Sequence, residues 1–390
     1  MYYKIINKKK KIVTIIADIL GYAIWSPVNL FKKRSFPDTN IREILVIRTA
    51  YMGDVMMTVP ILKPLKGKYP HARLSFLTST KAKEILENNP YIDDILTYDP
   101  FWFYPAKKTE YLEFISRIRK KTFDLVIEAR GDIRDLLFIV FPLKAKFKVG
   151  FNFGGGGFVL SHSVPYTGIK HKIEYHLDIV RYLGCKVEDI EWGVYLTSDE
   201  KNRIKEIMSE HGIKQPFISV HPGARHPLRR WFPERYAQLY DMIPEKYNIP
   251  IVILGAKGEE DLVDNIRTQM HHKPVSVAGK LTLRELSGIL SESLLFICNN
   301  SGPMHIAASM KVPTVVIHGP SKSYWDAPYG NIHRIVEKDF QCRNGCDEDA
   351  CNHQTFKECM EKIQVDDVLT AVREVFEEIY KKAARHEIQN

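Results

Sequence analysis

Gly53-Asp54 follows an apolar run at residues 44–47. A carboxylate just outside the carboxyl end of a first strand lies where open sheets place their ligands. It can take a proton from a hydroxyl nucleophile, while Gly53 lets the backbone turn or approach a ligand. An aspartate there also suits the cap of the helix that follows, and spacing alone does not separate the two roles. Further on, His221-Pro222-Gly223-Ala224-Arg225 leads into Arg229-Arg230-Trp231. Cations crowded near a strand end suit a diphosphate, or else form a solvated charge run. Gly255, with Glu259 and Glu260 after it, makes a strand–glycine–helix turn whose acids can accept ribose hydroxyls or favour the helix's first turn. Asn300-Ser301-Gly302-Pro303-Met304-His305 breaks a strand-like run at 294–298. Pro303 fits a helix's first turn, and that turn offers free N–H groups and a dipole to an anion. His305 sits in the same turn and can bond a phosphate or a ribose.

These residues need strands to end beneath them. Apolar runs at 44–47, 73–77, 92–98, 125–128 and 145–150 predict strands, with helices at 55–66, 81–87, 111–120, 132–139 and 171–183 between or after them. Pro60 and Pro64 predict that the 55–66 helix is bent or broken. A helix at 198–211, closed by Gly212, leads to a second set of strands at 217–220, 249–254, 275–277, 294–298 and 314–318. Helices at 236–243 and 282–290 intervene, and a helix at 365–384 follows. The alternation argues for parallel sheets covered on both faces.

The chain has 390 residues, 45% hydrophobic and 26% charged, with a formal charge of +9. Residues 1–40 hold eight Lys/Arg and two acids, so +6 of that charge is terminal. That concentration argues against nucleic-acid binding and for an anionic membrane surface. Within it, Ile12, Ile16, Ile19, Ala23 and Ile24 share a broad helical face, with Asp18 and Tyr22 nearer the other side. This predicts an interfacial helix flanked by lysines. A helix packed on the protein's own body or a true span are the alternatives, the span being disfavoured by Asp18, Gly21, Pro27 and Asn29. The glycines at 154–157 suggest a mobile loop over a cleft. Cys342, Cys346, Cys351 and Cys359 can hold zinc, pair as disulfides, or fill a compact thiol-rich segment. Their spacing lacks the paired Cys-x2-Cys of structural zinc sites. A dehydrogenase is disfavoured, since residues 48–54 contain only Gly53 and no Gly-x-Gly-x-x-Gly.

Taken together, the segments resemble the lipopolysaccharide heptosyltransferases of glycosyltransferase family 9. The resemblance rests on Ile44 to Val55 with Gly53-Asp54, on His221-Pro222-Gly223-Ala224 with Arg230-Trp231, on Asn300 to Ala308, and on Cys359-Met360. It covers roughly residues 41–370. It implies a GT-B fold, two Rossmann-like α/β domains with parallel sheets facing a central cleft. The expected divisions are a basic apolar segment at 1–40, an acceptor domain at 41–197, a linker helix at 198–215, a donor domain at 216–364 that includes the Cys-rich stretch, and a helix at 365–390 returning toward the first domain. The resemblance further implies inverting transfer of a heptose or related sugar from an ADP-heptose-like nucleotide sugar. The acceptor would be an anionic lipid-linked saccharide at the cytoplasmic face of the inner membrane, with residues 1–40 at that surface, and no cofactor or metal is expected. By the same resemblance Asp54 is the general base, Arg230 binds donor phosphates, and Ser301, Gly302 and His305 form the donor loop. Gly255 and Glu259 lie in the turn toward the nucleoside. Asn300 stands where the family usually has Asp, and Arg225 is outside its pattern; both are kept as donor-site candidates. A non-catalytic nucleotide-sugar-binding regulator or scaffold is the competing reading.

Overall fold

The computed structural model describes residues 8–30, 40–105, 107–346, 351 and 353–389. The Lys32-Lys33-Arg34 block and Asp347, Glu348 and Asp349 lie outside them. The chain divides into two compact units, one ending at Trp192 and the next beginning at Gly193.

In the first unit, β1 (Glu43–Arg48), β2 (Arg73–Thr78), β3 (Asp94–Thr97), β4 (Thr122–Glu128), β5 (Lys144–Gly150) and β6 (His162–Ser163) form one sheet. Its order is β3-β2-β1-β4-β5-β6, and every pairing is parallel. Leu45, Ile47, Val126 and Phe123 are buried in the core, as a sheet covered on both faces requires. The segment expected as one helix at 55–66 is broken into the Met52–Met56 helix, a tight turn at Val59–Ile61 and the Leu62–Lys68 helix. Pro60 opens that turn, because proline has no N–H to continue a helix but fits a first turn. Residues 81–87 likewise form two single turns, Thr80–Ala82 and Glu84–Leu86, in place of one helix.

The second unit repeats the plan. Here β7 (Ile218–His221), β8 (Ile251–Ile253), β9 (Val275–Ser276), β10 (Leu295–Asn299), β11 (Thr314–Ile317) and β12 (His333–Val336) make a parallel sheet ordered β12-β11-β10-β7-β8-β9. β12 was not anticipated. Its sequence, His-Arg-Ile-Val, is too short and too polar to stand out, and its partly buried pattern marks it as the edge strand. The Ser198–Glu210 helix starts on a Thr197/Glu200 capping box, and Glu200 also pairs with Arg284 on the Leu283–Ser291 helix. The Val365–Gln389 helix buries Val368, Val372, Val375 and Phe376 in the core of this second unit.

Both sheets therefore follow one strand order, in which the winding reverses between β1 and β4 and again between β7 and β10. Loops leaving the carboxyl ends of strands at such a reversal diverge and leave a crevice for a ligand. The candidate residues follow β1, β7, β8 and β10, and a further group, not predicted, follows β4.

Candidate functional site

In the first unit Arg48 ends β1, and the Met52–Met56 helix begins two residues after Ala50. Tyr51 takes the cap position with extended backbone and no side-chain cap bond, so Asp54 lies inside the first turn and is not the cap. Its Oδ1 is 3.1 Å from Arg48 Nη2 and 3.6 Å from Lys172 Nζ. Two cations on one oxygen fix the carboxylate's direction. Lys172 opens the Lys172–Tyr182 helix, and one turn later His176 is fully buried. Burial, followed by the charge of Arg48, pushes the His176 imidazole down to about 3. The neutral ring donates its Nδ1 proton to the Met57 carbonyl at 2.7 Å, tying the end of the Asp54 helix in place.

Behind Arg48 lies a buried acidic pair. Glu128, at the end of β4, accepts from the N–H groups of Arg130 at 2.9 Å and Gly131 at 2.6 Å. Asp135 accepts from Trp102 Nε1 at 2.9 Å. Burial raises both carboxyls above their ordinary values; the Asp135 charge raises Glu128 further, while at Asp135 the Arg130 charge opposes the rise and Asp132 adds to it. The Arg130 guanidinium lies 4.4 Å from the Phe103 ring centre, and Tyr104 donates to the Ala50 carbonyl at 2.7 Å. Phe103 also stacks obliquely on Tyr51 at 4.4 Å. The Met52–Met56 helix thus has cations on its Asp54 carboxylate and aromatic rings against the Ala50-Tyr51 segment that leads into it.

In the second unit, β7 delivers His221, whose Nε2 is 3.0 Å from Glu259 Oε2. Glu259 also accepts from the Ala256 N–H at 2.8 Å. Burial alone would raise its carboxyl, but those bonds and the Arg230 charge hold it below its ordinary value. Glu260 turns elsewhere, accepting from the Gly258 N–H at 2.5 Å. The structure therefore separates the two acids: Glu259 faces the β7 loop, where a Cβ on Gly223 would overlap its carboxylate. Gly255 serves packing, since a Cβ there would come within 2.9 Å of Ala278 Cβ. Arg230 Nε donates to the Ala224 carbonyl at 2.9 Å, and Arg225 is exposed on the same loop.

β10 ends in Asn299, which accepts from Tyr236 Oη at 2.6 Å and donates to the Pro222 carbonyl at 2.7 Å. This joins the β7 and β10 loops. Arg229 Nη1 donates to the Asn300 carbonyl at 3.3 Å. The Gly302–Ser309 helix follows, with Ser301 at its cap, Gly302 and Pro303 in its first turn and His305 buried within it. The Ser301 hydroxyl is buried and has no hydrogen-bond partner among the described residues. Asn300 is used internally: its amide lies 2.8 Å from His318 Nε2 and 3.3 Å from Asp326 Oδ1. An aspartate there would oppose the Asp326 carboxylate, so the amide suits this interior.

Lys357, like Lys172, was missed by sequence reasoning. Lys357 Nζ lies 4.7 Å from the Phe232 ring centre. Burial lowers its ammonium, Cys359 opposes that, and the neighbouring Arg230 lowers it further. Its thiol neighbours are all unpaired in disulfides. Cys359 is pushed up to about 11 by burial and then by Cys346, Cys342 and Cys351. Among the described residues no three His, Cys, Asp or Glu side chains are placed to hold a metal ion together.

A sequence model of glycosyltransferase family 9 (heptosyltransferase) matches residues 111–355. The chain belongs to glycosyltransferase family 9. Among other members of family 9, the lipopolysaccharide core heptosyltransferase OpsX of Haemophilus influenzae is 22% identical over 304 residues, 76% of this chain and 84% of that one. Lipopolysaccharide heptosyltransferase 3 of Escherichia coli is 24% identical over 356 residues, 86% and 98% of the two chains. The solved family 9 glycosyl transferase of Veillonella parvula superposes with a TM-score of 0.76 at 21% identity, covering 88% of this chain and 99% of its own. The E. coli ADP-heptose lps heptosyltransferase II gives 0.69 at 17% identity, covering 87% and 99%. This family 9 chain is a glycosyltransferase, and its two parallel-sheet units are those of the GT-B fold.

Proposed function

We propose that the chain is an inverting, metal-independent transferase that moves a heptose or related sugar from an ADP-heptose-like donor to a lipopolysaccharide core or other lipid-linked glycan. The enzyme works at the cytoplasmic face of the inner membrane. Asp54 is the base that removes the acceptor hydroxyl proton as that oxygen attacks the anomeric carbon. The bond from that carbon to the diphosphate breaks as the new one forms, which inverts the centre. Arg230 and Arg225, with Arg229 and Lys357 nearby, take up the charge growing on the leaving diphosphate. Ser301, Gly302 and His305 hold the same group at a helix N-terminus, and Glu259 takes the nucleoside's ribose. Such preorganised donors and cations are worth about 3 kcal/mol each where water is excluded.

The observation that carries this reading is the Asp54 carboxylate gripped by Arg48 and Lys172 beside a sheet reversal, in a member of this family. The orphan Ser301 hydroxyl supports the donor half, since a buried polar group without a partner is expected to meet one from a ligand. A solved neighbour suggests the sugar: the E. coli heptosyltransferase WaaC, solved with ADP-2-deoxy-2-fluoro heptose, superposes with a TM-score of 0.64. The test is transfer from ADP-heptose to a core saccharide, with and without chelator, and the anomeric configuration of the product read by NMR. A retained configuration, or loss of turnover on chelation, overturns the mechanism. Donor binding without transfer to any lipid-linked saccharide favours the non-catalytic binder.

A further inference from the structure

The Lys8–Leu30 helix is packed inside out. Thr14, Asp18 and Gly21, spaced at one helical turn, are buried. They sit on the glycines at 154–157, which are not a loose loop. Asp18 Oδ1 accepts from the Gly156 N–H at 2.6 Å. A Cβ on Gly155 would overlap Thr14 Cγ2, one on Gly157 would lie 2.6 Å from Tyr22 Oη, and one on Gly21 would overlap the Phe158 ring. Gly155 and Gly156 hold positive φ of 86° and 79°, a backbone that glycine adopts without strain. Tyr22 meets Phe158 edge to face at 5.8 Å. The glycine run is thus a fitted seat for the small and polar face of the helix.

Seating that face turns the aliphatic one outward. Ile12, Val13, Ile16, Ile19, Leu20 and Ile24 are each more than half exposed. Lys9 and Lys11 are exposed at the same end, and Asp18, the helix's one acid, is buried against the protein. The outward surface is therefore aliphatic and cationic, without a carboxylate. Among the described residues no helix is long and apolar enough to cross a membrane. A stripe that lies flat, buries aliphatic side chains and offers lysines at its rim is complementary to an anionic bilayer.

We propose that this helix is the enzyme's membrane-docking element, seated on residues 154–157 so that its Ile12–Ile24 stripe lies in the lipid interface. The inference rests on the proposed reaction only in placing the acceptor at the same surface. The test is flotation of the full chain with vesicles of phosphatidylcholine alone and with phosphatidylglycerol added, beside turnover on a water-soluble acceptor saccharide. The chain floats with the anionic vesicles. Ile16→Glu with Leu20→Glu, both on the exposed face, cuts partitioning about 100-fold, and turnover on the soluble acceptor is unchanged. Lys9→Glu with Lys11→Glu weakens the preference for anionic vesicles about tenfold. A wild-type chain that does not float, or an Ile16→Glu/Leu20→Glu chain that floats equally, overturns the inference and leaves the reaction standing. So does a wild-type dimer that this variant converts to monomer, since the stripe would then pair two copies. A chain that floats but transfers nothing overturns the reaction and leaves the docking element.

Discussion

Replacing His176 tests whether the Asp54 helix is held by a neutral, buried imidazole. An unfolded histidine titrates near 6.5, and this one is held at about 3. Between those values the unfolded chain binds the extra proton, so stability rises with pH across that window. The contribution is complete above about pH 6.5 and is lost progressively as pH falls toward 3. At about pH 5 the deficit is roughly one and a half pH units, or about 2 kcal/mol at ~1.4 kcal/mol per unit. His176→Asn keeps a donor for the Met57 carbonyl but cannot titrate. Near neutral pH it is less stable than the wild type by about 1–3 kcal/mol, for lost packing around the ring. At about pH 5 that gap narrows by about 2 kcal/mol. The measurement is urea unfolding of both proteins at the two pH values, read by amide exchange in the Lys172–Tyr182 helix, because two units need not unfold together. Parallel profiles, with the gap unchanged, would show that His176 is already charged or not buried in the folded state.

Two further substitutions probe the second unit. Asn300→Asp sets a carboxylate against Asp326, and the protein loses about 1–3 kcal/mol at neutral pH. One of the pair is then protonated more readily in the folded state, so thermal melts recover as pH falls and worsen as it rises. A melt that is independent of pH would show that the two groups do not meet. Ser301→Ala removes a hydroxyl that has no partner among the described residues, so stability changes by less than about 0.5 kcal/mol while donor KM rises about tenfold. A large stability loss with unchanged donor KM would make Ser301 a structural cap.

The sheets were legible because parallel strands covered on both faces read as unbroken apolar runs, such as Leu45-Val46-Ile47 and Phe296-Ile297-Cys298. Edge strands do not, and β12 was missed for that reason. Pro60 announced a broken helix, though not where the pieces would restart. Of the site, the residues that directly follow strands were visible, since Gly53-Asp54 and Ser301-Gly302 each close an apolar run. Their partners were not. Lys172 and His176 reach Asp54 from another helix, Lys357 reaches the Arg230 neighbourhood from the cysteine-rich stretch, and no local spacing connects them. Glu259 and Glu260 could not be told apart until the turn showed which one His221 meets. The glycines at 154–157 looked mobile because a glycine run has no pattern of its own; what orders them is the face of a helix more than a hundred residues earlier.

The most direct measurement is sugar transfer by Asp54→Asn beside its affinity for the nucleotide-sugar donor. With Asp54 as the base, donor affinity stays within about threefold while turnover falls about 100- to 10,000-fold. Turnover within about tenfold of the wild type, with the donor bound as before, would contradict it.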